Sequence, residues 1–146
     1  MDSCLQGGII RKLMTKIMIV DDDPEATSIL SSLLKIEGYI PISVNDSTLA
    51  IQKANAVQPD LFLLDLMMPV LDGFKLCRLL REERIFLRTP IIIVTALSSA
   101  DSRVVAFGAG ANDYITKPYL PHELVLKIRE QLERARAGLI DPFDGL

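Results

Sequence analysis

Leu61-Phe62-Leu63-Leu64-Asp65 decides the reading of this chain. Four consecutive apolar residues suit a strand buried on both faces of a parallel sheet. The run stops on a carboxylate. Leu66-Met67-Met68-Pro69 then turns, and Asp72-Gly73 opens a helix. An acid at the carboxyl end of such a strand lies in the crevice where open α/β sheets bind ligands. An Asp that merely ends a strand is the blander reading, and for one residue alone it would win. It loses here because three other strands also end in polar groups that complete one chemistry.

Working outward, Lys16-Ile17-Met18-Ile19-Val20 predicts a strand followed by Asp21-Asp22-Asp23. Asp23 and Pro24 read as the N-cap and first residue of a helix. Ala26, Ile29, Leu30, Leu33 and Leu34 give that helix its inner face, and Gly38 stops it. Tyr39 to Val44 predicts a second strand, and Pro41 within it argues for a sheet edge. Asp46 caps a second helix carrying Leu49, Ala50, Ala54 and Val57. Asp72 caps a third through Phe74, Cys77 and Leu80. Pro90 to Thr95 predicts the fourth strand, and a weakly helical stretch follows from about Ser99 to Phe107. Asn112 to Thr116 predicts the fifth strand, closed by Lys117-Pro118. A last helix from about Pro121 presents Leu124, Ile128, Leu132 and Ala135.

Five alternations of strand and helix predict right-handed βαβ units around a parallel sheet. The fold class expected is α/β: a flavodoxin-like (βα)5 doubly wound sheet with strand order 2-1-3-4-5. Residues 15–136 form the expected domain, after a disordered extension over 1–14 and before a linker or tail over 137–146. One domain of 146 residues buries roughly two thirds of its unfolded surface.

Composition excludes several classes. Hydrophobic residues make up 49% and charged residues 24%, as in a globular domain. A net charge of −3 leaves no footprint for direct nucleic-acid or anionic-membrane binding. Two cysteines, Cys4 and Cys77, are too few for a disulfide framework or a zinc site. No apolar run approaches the roughly 20 residues of a membrane span. A cytoplasmic protein with reduced thiols is expected.

The predicted strand order puts Asp21 and Asp22 beside Asp65. Carboxylates facing one crevice repel each other, and a cation relieves this. Hard oxygen ligands suit Mg²⁺, which keeps several waters and needs only one or two carboxylates. Thr95 adds a hydroxyl at the end of the fourth strand and Lys117 an ammonium at the end of the fifth. With Lys117 counted, the pocket carries a charge of about −2, which one divalent ion balances. That set suits a transferring phosphoryl group, with Asp65 as nucleophile and the metal and Lys117 stabilising charge on the phosphoryl oxygens. Each member has a bland reading. Asp23 is a cap, Thr95 fits strand composition and Lys117 fits a solvated strand end. Their joint position at carboxyl ends of strands favours the site.

The stretches Ile19-Val20-Asp21-Asp22-Asp23-Pro24, Leu64-Asp65-Leu66-Met67-Met68-Pro69, Asp72-Gly73, Val94-Thr95-Ala96 and Gly110 to Pro118 together resemble a response-regulator receiver domain of two-component signal transduction. The resemblance covers about Lys16 to Arg136. It implies that Asp65 accepts phosphate from a phosphohistidine on a sensor histidine kinase or phosphotransfer protein. It implies Mg²⁺ held by Asp22, Asp65 and the backbone carbonyl of Met67, with Asp21 acting mostly through water. It implies Thr95 and Tyr114 as a switch pair in which Tyr114 turns inward, Ala96 as a small residue leaving access, and a cis Lys117-Pro118 bond. Met67 and Leu97 fall at the two positions that tune the lifetime of the phosphorylated state. Such a domain is a switch that acts on itself rather than an enzyme with turnover. A homodimer through the fourth helix, fifth strand and last helix is compatible, as is an effector domain beyond Leu146. Two alternatives stand beside it. A pseudo-receiver would bind partners without phosphate. An aspartate-nucleophile phosphatase would start from Asp21-Asp22-Asp23, but the chain is short for one. His122, the only histidine, reads as a surface residue of the last helix, and Cys77 as core.

Overall fold

The computed structural model describes residues 13–138. The expected extension over 1–14 lies outside this range except for its last two residues, and the tail over 137–146 except for its first two. Five parallel strands form one sheet: β1 (Lys16–Val20), β2 (Ile40–Val44), β3 (Leu61–Leu64), β4 (Ile91–Thr95) and β5 (Asp113–Thr116). Their order is β2-β1-β3-β4-β5. Five helices connect and close them: α1 (Pro24–Ile36), α2 (Ala50–Val57), α3 (Gly73–Glu82), α4 (Ala100–Gly108) and α5 (Pro121–Arg136). None of these is long and apolar enough to cross a membrane. The expected fold class is the observed one.

The all-apolar strands follow from two cores, one on each face of the sheet. Ile17, Ile19, Leu61, Leu63, Ile92 and Val94 face one side, with Leu30 and Leu34 of α1 and Leu124, Ile128 and Leu132 of α5. Met18, Val20, Phe62, Leu64, Ile91 and Ile93 face the other, with Ala54 of α2, Leu76, Cys77 and Leu80 of α3 and Ala106 of α4. Successive strand residues point to opposite faces, so a strand covered on both must be apolar throughout. Pro41 pairs with Ile17 on β2, an edge strand, where its missing N–H has no ladder to break.

Two caps form where the sequence predicts them, at Asp23 and Asp72, and Ser99 supplies one the sequence reading did not name. Asp23 accepts from the Glu25 N–H at 3.0 Å and Asp72 from the Lys75 N–H at 2.9 Å. Ser99 caps α4 by accepting from the Ser102 N–H at 3.1 Å. Asp46 departs from expectation, because it caps a 3₁₀ turn, Ser47–Leu49, that runs into α2. Three residues per turn rotate Leu49 off the inner face, and it is 52% exposed rather than core. Ile29 is likewise exposed, on the rim of the α1 stripe.

The amino end of the sheet is tied by one guanidinium. Arg81, in the last turn of α3, donates to the carbonyls of Gly110 (2.9 Å), Phe86 (2.7 Å) and Thr89 (2.7 Å), and to Asn112 Oδ1 (2.7 Å). Asn112 Oδ1 also accepts from the Ile91 N–H at 2.8 Å. This network joins α3, the entry to β4 and the entry to β5.

Candidate functional site

Register alone assembles the acids. Val20 of β1 pairs with Leu64 of β3, so Asp21 and Asp65, the next residue on each, emerge side by side. The Asp65 N–H donates to the Val20 carbonyl at 3.0 Å, and the Asp21 N–H to Val44 at 3.1 Å. Carboxylate oxygens of Asp21, Asp22 and Asp65 all lie within 4.8 Å of one another. Asp21 and Asp65 are buried, with Asp65 9% exposed, while Asp22 is exposed.

Lys117 arrives from the far side. Thr95 pairs with Thr116 across β4 and β5, and the Lys117 N–H donates to the Thr95 carbonyl at 2.7 Å. The Lys117–Pro118 peptide is cis. Lys117 Nζ donates to Asp21 Oδ2 at 2.7 Å and to Asp65 Oδ2 at 3.2 Å. Burial by itself would lower this ammonium. The hydrogen bond to Asp21 and the charges of Asp65 and Asp21 outweigh burial and raise it above its ordinary value. Burial raises the Asp21 carboxyl, and the Lys117 bond and the Asp23 N–H only partly offset this.

Local geometry then fixes Asp65. Its Oδ1 accepts from the Met67 N–H at 3.2 Å, which leaves both oxygens oriented. Gly73 lies against its backbone. A Cβ on Gly73 would stand 2.1 Å from the Asp65 carbonyl oxygen and 2.7 Å from Leu66 Cα, which no side chain tolerates. The Gly73 N–H donates to the Leu66 carbonyl at 3.0 Å, so the start of α3 is sewn to the loop that carries the acid. Val70 in that loop has φ +67°, a strained value for a β-branched residue, and is fully open to solvent.

The remaining predicted residues fall around this centre. Thr95 is fully buried, and its Oγ1 receives the Leu97 N–H at 3.5 Å. Met67 is 57% exposed, Leu97 is partly buried and Ala96 is exposed. Tyr114 is 4% exposed, with its hydroxyl donating to the Leu97 carbonyl at 2.7 Å. The sequence expectation had this ring turning inward. In the structure it already sits inside, through contacts with the chain's own residues. His122 is exposed in the first turn of α5, as expected. Cys77 is core: burial pushes its thiol up to about 11, so it is inert near neutral pH.

Two contributors escape a sequence reading. Gly73 looks like an ordinary turn glycine beside Asp72, and only the fold reveals its close approach to Asp65. Arg103 of α4 reads as a solvated helix charge, yet its guanidinium carbon lies 4.7 Å from the Tyr114 ring centroid.

The arrangement offers a buried carboxylate, a cation bonded to it and an acid cluster whose oxygens converge. That donor set, all hard oxygen, fits Mg²⁺.

Comparison with known proteins agrees. Residues 17–129 match the family described as response regulator receiver domain. Transcriptional regulatory protein ResD of Bacillus subtilis is 42% identical over 121 residues, 83% of this chain and 49% of that protein. DNA-binding response regulator MtrA of Mycolicibacterium smegmatis is 37% identical over 119 residues, 82% of this chain and 51% of that protein. The chain thus spans about half the length of these relatives. A crystal structure of a putative response regulator from Chloroflexus aurantiacus superposes with TM-score 0.79 at 32% identity, covering 83% of this chain and 99% of that one. The beryllofluoride-activated N-terminal receiver domain of Klebsiella pneumoniae RstA gives 0.77 at 33% identity, covering 81% and 98%. With the strand order, the acid cluster and the family match in agreement, this chain belongs to the response regulator receiver domains of two-component signalling.

Proposed function

We propose that the domain is a phosphorylation-dependent switch in which Asp65 accepts a phosphoryl group from a phosphohistidine on a sensor histidine kinase or phosphotransfer protein. One observation carries this: Asp65 lies within 4.8 Å of two further carboxylates while Lys117 is bonded to its Oδ2. An Asp65 oxygen attacks phosphorus, the P–N bond breaks, and the imidazole leaves with its electron pair. Lys117 and the Thr95 hydroxyl act on the phosphoryl oxygens where charge develops. The Met67 N–H orients the nucleophile. Asp22, Asp65 and the Met67 carbonyl would hold Mg²⁺, with Asp21 acting mostly through water. When bound, Mg²⁺ neutralises charge on the carboxylates and the phosphoryl group.

A groove of about 400 Å³ opens beside Lys117, lined mainly by apolar side chains such as Ile29, Leu30, Pro118 and Tyr119 but also by the acids Asp23 and Glu25. It supports docking of the phosphohistidine-bearing partner next to the acid. Thr95 and Tyr114 form the switch, with Ala96 leaving access. Output passes through α4, β5 and α5, by homodimerisation or by contact with an effector domain joined beyond Leu146. The domain spans residues 15–136, with 1–14 and 137–146 as flanking segments, and works in the cytoplasm as a switch without turnover.

The test is labelling by acetyl phosphate. Wild type should label at Asp65 only with Mg²⁺ present, and Asp65→Asn should abolish the label. Asp22→Ala should weaken Mg²⁺ binding. Label on Asp21 would instead identify an aspartate-nucleophile phosphatase, and no label a phosphate-independent module.

A further inference from the structure

Tyr114 is held from several sides. Its hydroxyl is bonded to Leu97, and the Phe107 ring lies 6.5 Å away at 41°. Arg103 covers the ring face at 4.7 Å, and its Nη2 donates to Thr116 Oγ1 at 3.2 Å. Thr116 is the last residue of β5 and directly precedes Lys117. One side chain from α4 therefore touches the tyrosine and the strand end that carries the site's ammonium. A solvated arginine would make neither contact by requirement, and this one makes both. A guanidinium over an aromatic face is attracted by the ring quadrupole. At an exposed site the attraction is worth about a two- to five-fold bias in an equilibrium.

We propose that Arg103 is a positioning residue for Tyr114: braced on Thr116, its guanidinium holds the ring inside and raises the fraction of molecules with the ring buried. The proposal rests on Tyr114 being the switch partner of Thr95. Burial raises the Tyr114 phenol above its ordinary value, and the Arg103 charge draws it partly back, as direct electrostatic contact requires. Two states then differ in whether Arg103 keeps its aromatic partner. By linkage, whatever binds Asp65 more tightly in the ring-in state gains from Arg103 by at most the same factor.

The test uses the full chain with ring-¹³C tyrosine. Arg103→Gln should shift the Tyr114 ring resonances with no ligand added. It should also lower beryllofluoride affinity, by up to about five-fold, while leaving Mg²⁺ affinity unchanged. Arg103→Lys, which keeps a cation, should recover part of the loss. In a Tyr114→Ala background, Arg103→Gln should no longer alter beryllofluoride affinity. Unmoved ring resonances in Arg103→Gln, or an undiminished affinity loss in the Tyr114→Ala background, would overturn the proposal. A wild-type protein that binds no beryllofluoride would defeat the phosphoacceptor reading instead. The ligand-free ring resonances would still decide the role of Arg103.

Discussion

Both ends of the parallel sheet carry charged side chains, and they use them in opposite ways. At the amino end, Arg81 donates to three backbone carbonyls and the Asn112 amide, and Asn112 in turn receives the Ile91 N–H. Lys16 Nζ donates to the Val57 carbonyl, and Asp60 accepts from the Lys16 N–H. Charge there closes loops by satisfying main-chain groups. At the carboxyl end, Asp21, Asp22 and Asp65 converge on one another with Lys117 as their ammonium partner. Negative charge is in surplus there, and Asp22 stays open to water. The difference teaches how to tell structural from reactive polarity in this fold. Charge matched to backbone acceptors stabilises the fold, whereas charge in excess of its partners is available for chemistry at a cost in stability.

The comparison predicts that variants at the two ends separate stability from chemistry. The largest stability effect belongs to the amino end. Arg81→Met keeps most of the stem but takes a donor from three carbonyls and from the Asn112 oxygen; Phe86 keeps the Thr89 N–H and Asn112 the Ile91 N–H, while the Gly110 and Thr89 carbonyls lose the guanidinium. It should cost about 3 kcal/mol in urea unfolding. Acetyl phosphate labelling of the folded fraction should stay near wild type. Lost labelling in protein that remains folded would break the division between the two ends.

An intermediate effect concerns the lifetime of the phosphorylated state we propose for Asp65, in which the family resemblance sets Met67 and Leu97 beside the approach of water. Neither offers an amide or carboxylate to orient an attacking water, and positioning is a large part of phosphoryl-transfer catalysis. We expect a long-lived phosphorylated state, with Met67→Asn or Leu97→Asn shortening the half-life by on the order of ten-fold. Equal decay in all three proteins would mean that the two side chains only cover surface.

The smallest effect is a pH dependence. Asp21 is raised by burial, so the folded state holds its proton more tightly than the unfolded chain does. The stability this contributes is present at acid pH and is lost as pH rises through the folded value. Asp21→Asn removes that loss. Its stability relative to wild type should therefore improve as pH rises from about 3.9 toward neutrality. Chemical unfolding at the two pH values measures it. A constant difference would show that Asp21 ionises as freely in the fold as in the unfolded chain.

Much of this was legible from the residues. Strands covered on both faces must be apolar throughout, so Leu61 to Leu64 and Ile91 to Val94 announce themselves, and Asp65 and Thr95 stand out where the runs end. Short-range caps such as Asp23 and Asp72 are equally readable, because their partners lie two or three residues away. What was hidden depends on long reach. Arg81 meets Gly110 and Asn112 only after β4 and β5 have formed, and Arg103 meets Tyr114 only across the α4–β5 gap. The inward position of Tyr114 is set by the same tertiary contacts. Leu49 failed for a local reason, since an apolar period does not distinguish a 3₁₀ turn from the first turn of an α-helix.

The seam between Gly73 and Asp65 has a mechanical consequence. With no room for even one carbon between them, and with the Gly73 N–H bonded to the Leu66 carbonyl, any shift of the acid's backbone toward α3 must push the start of that helix along with it.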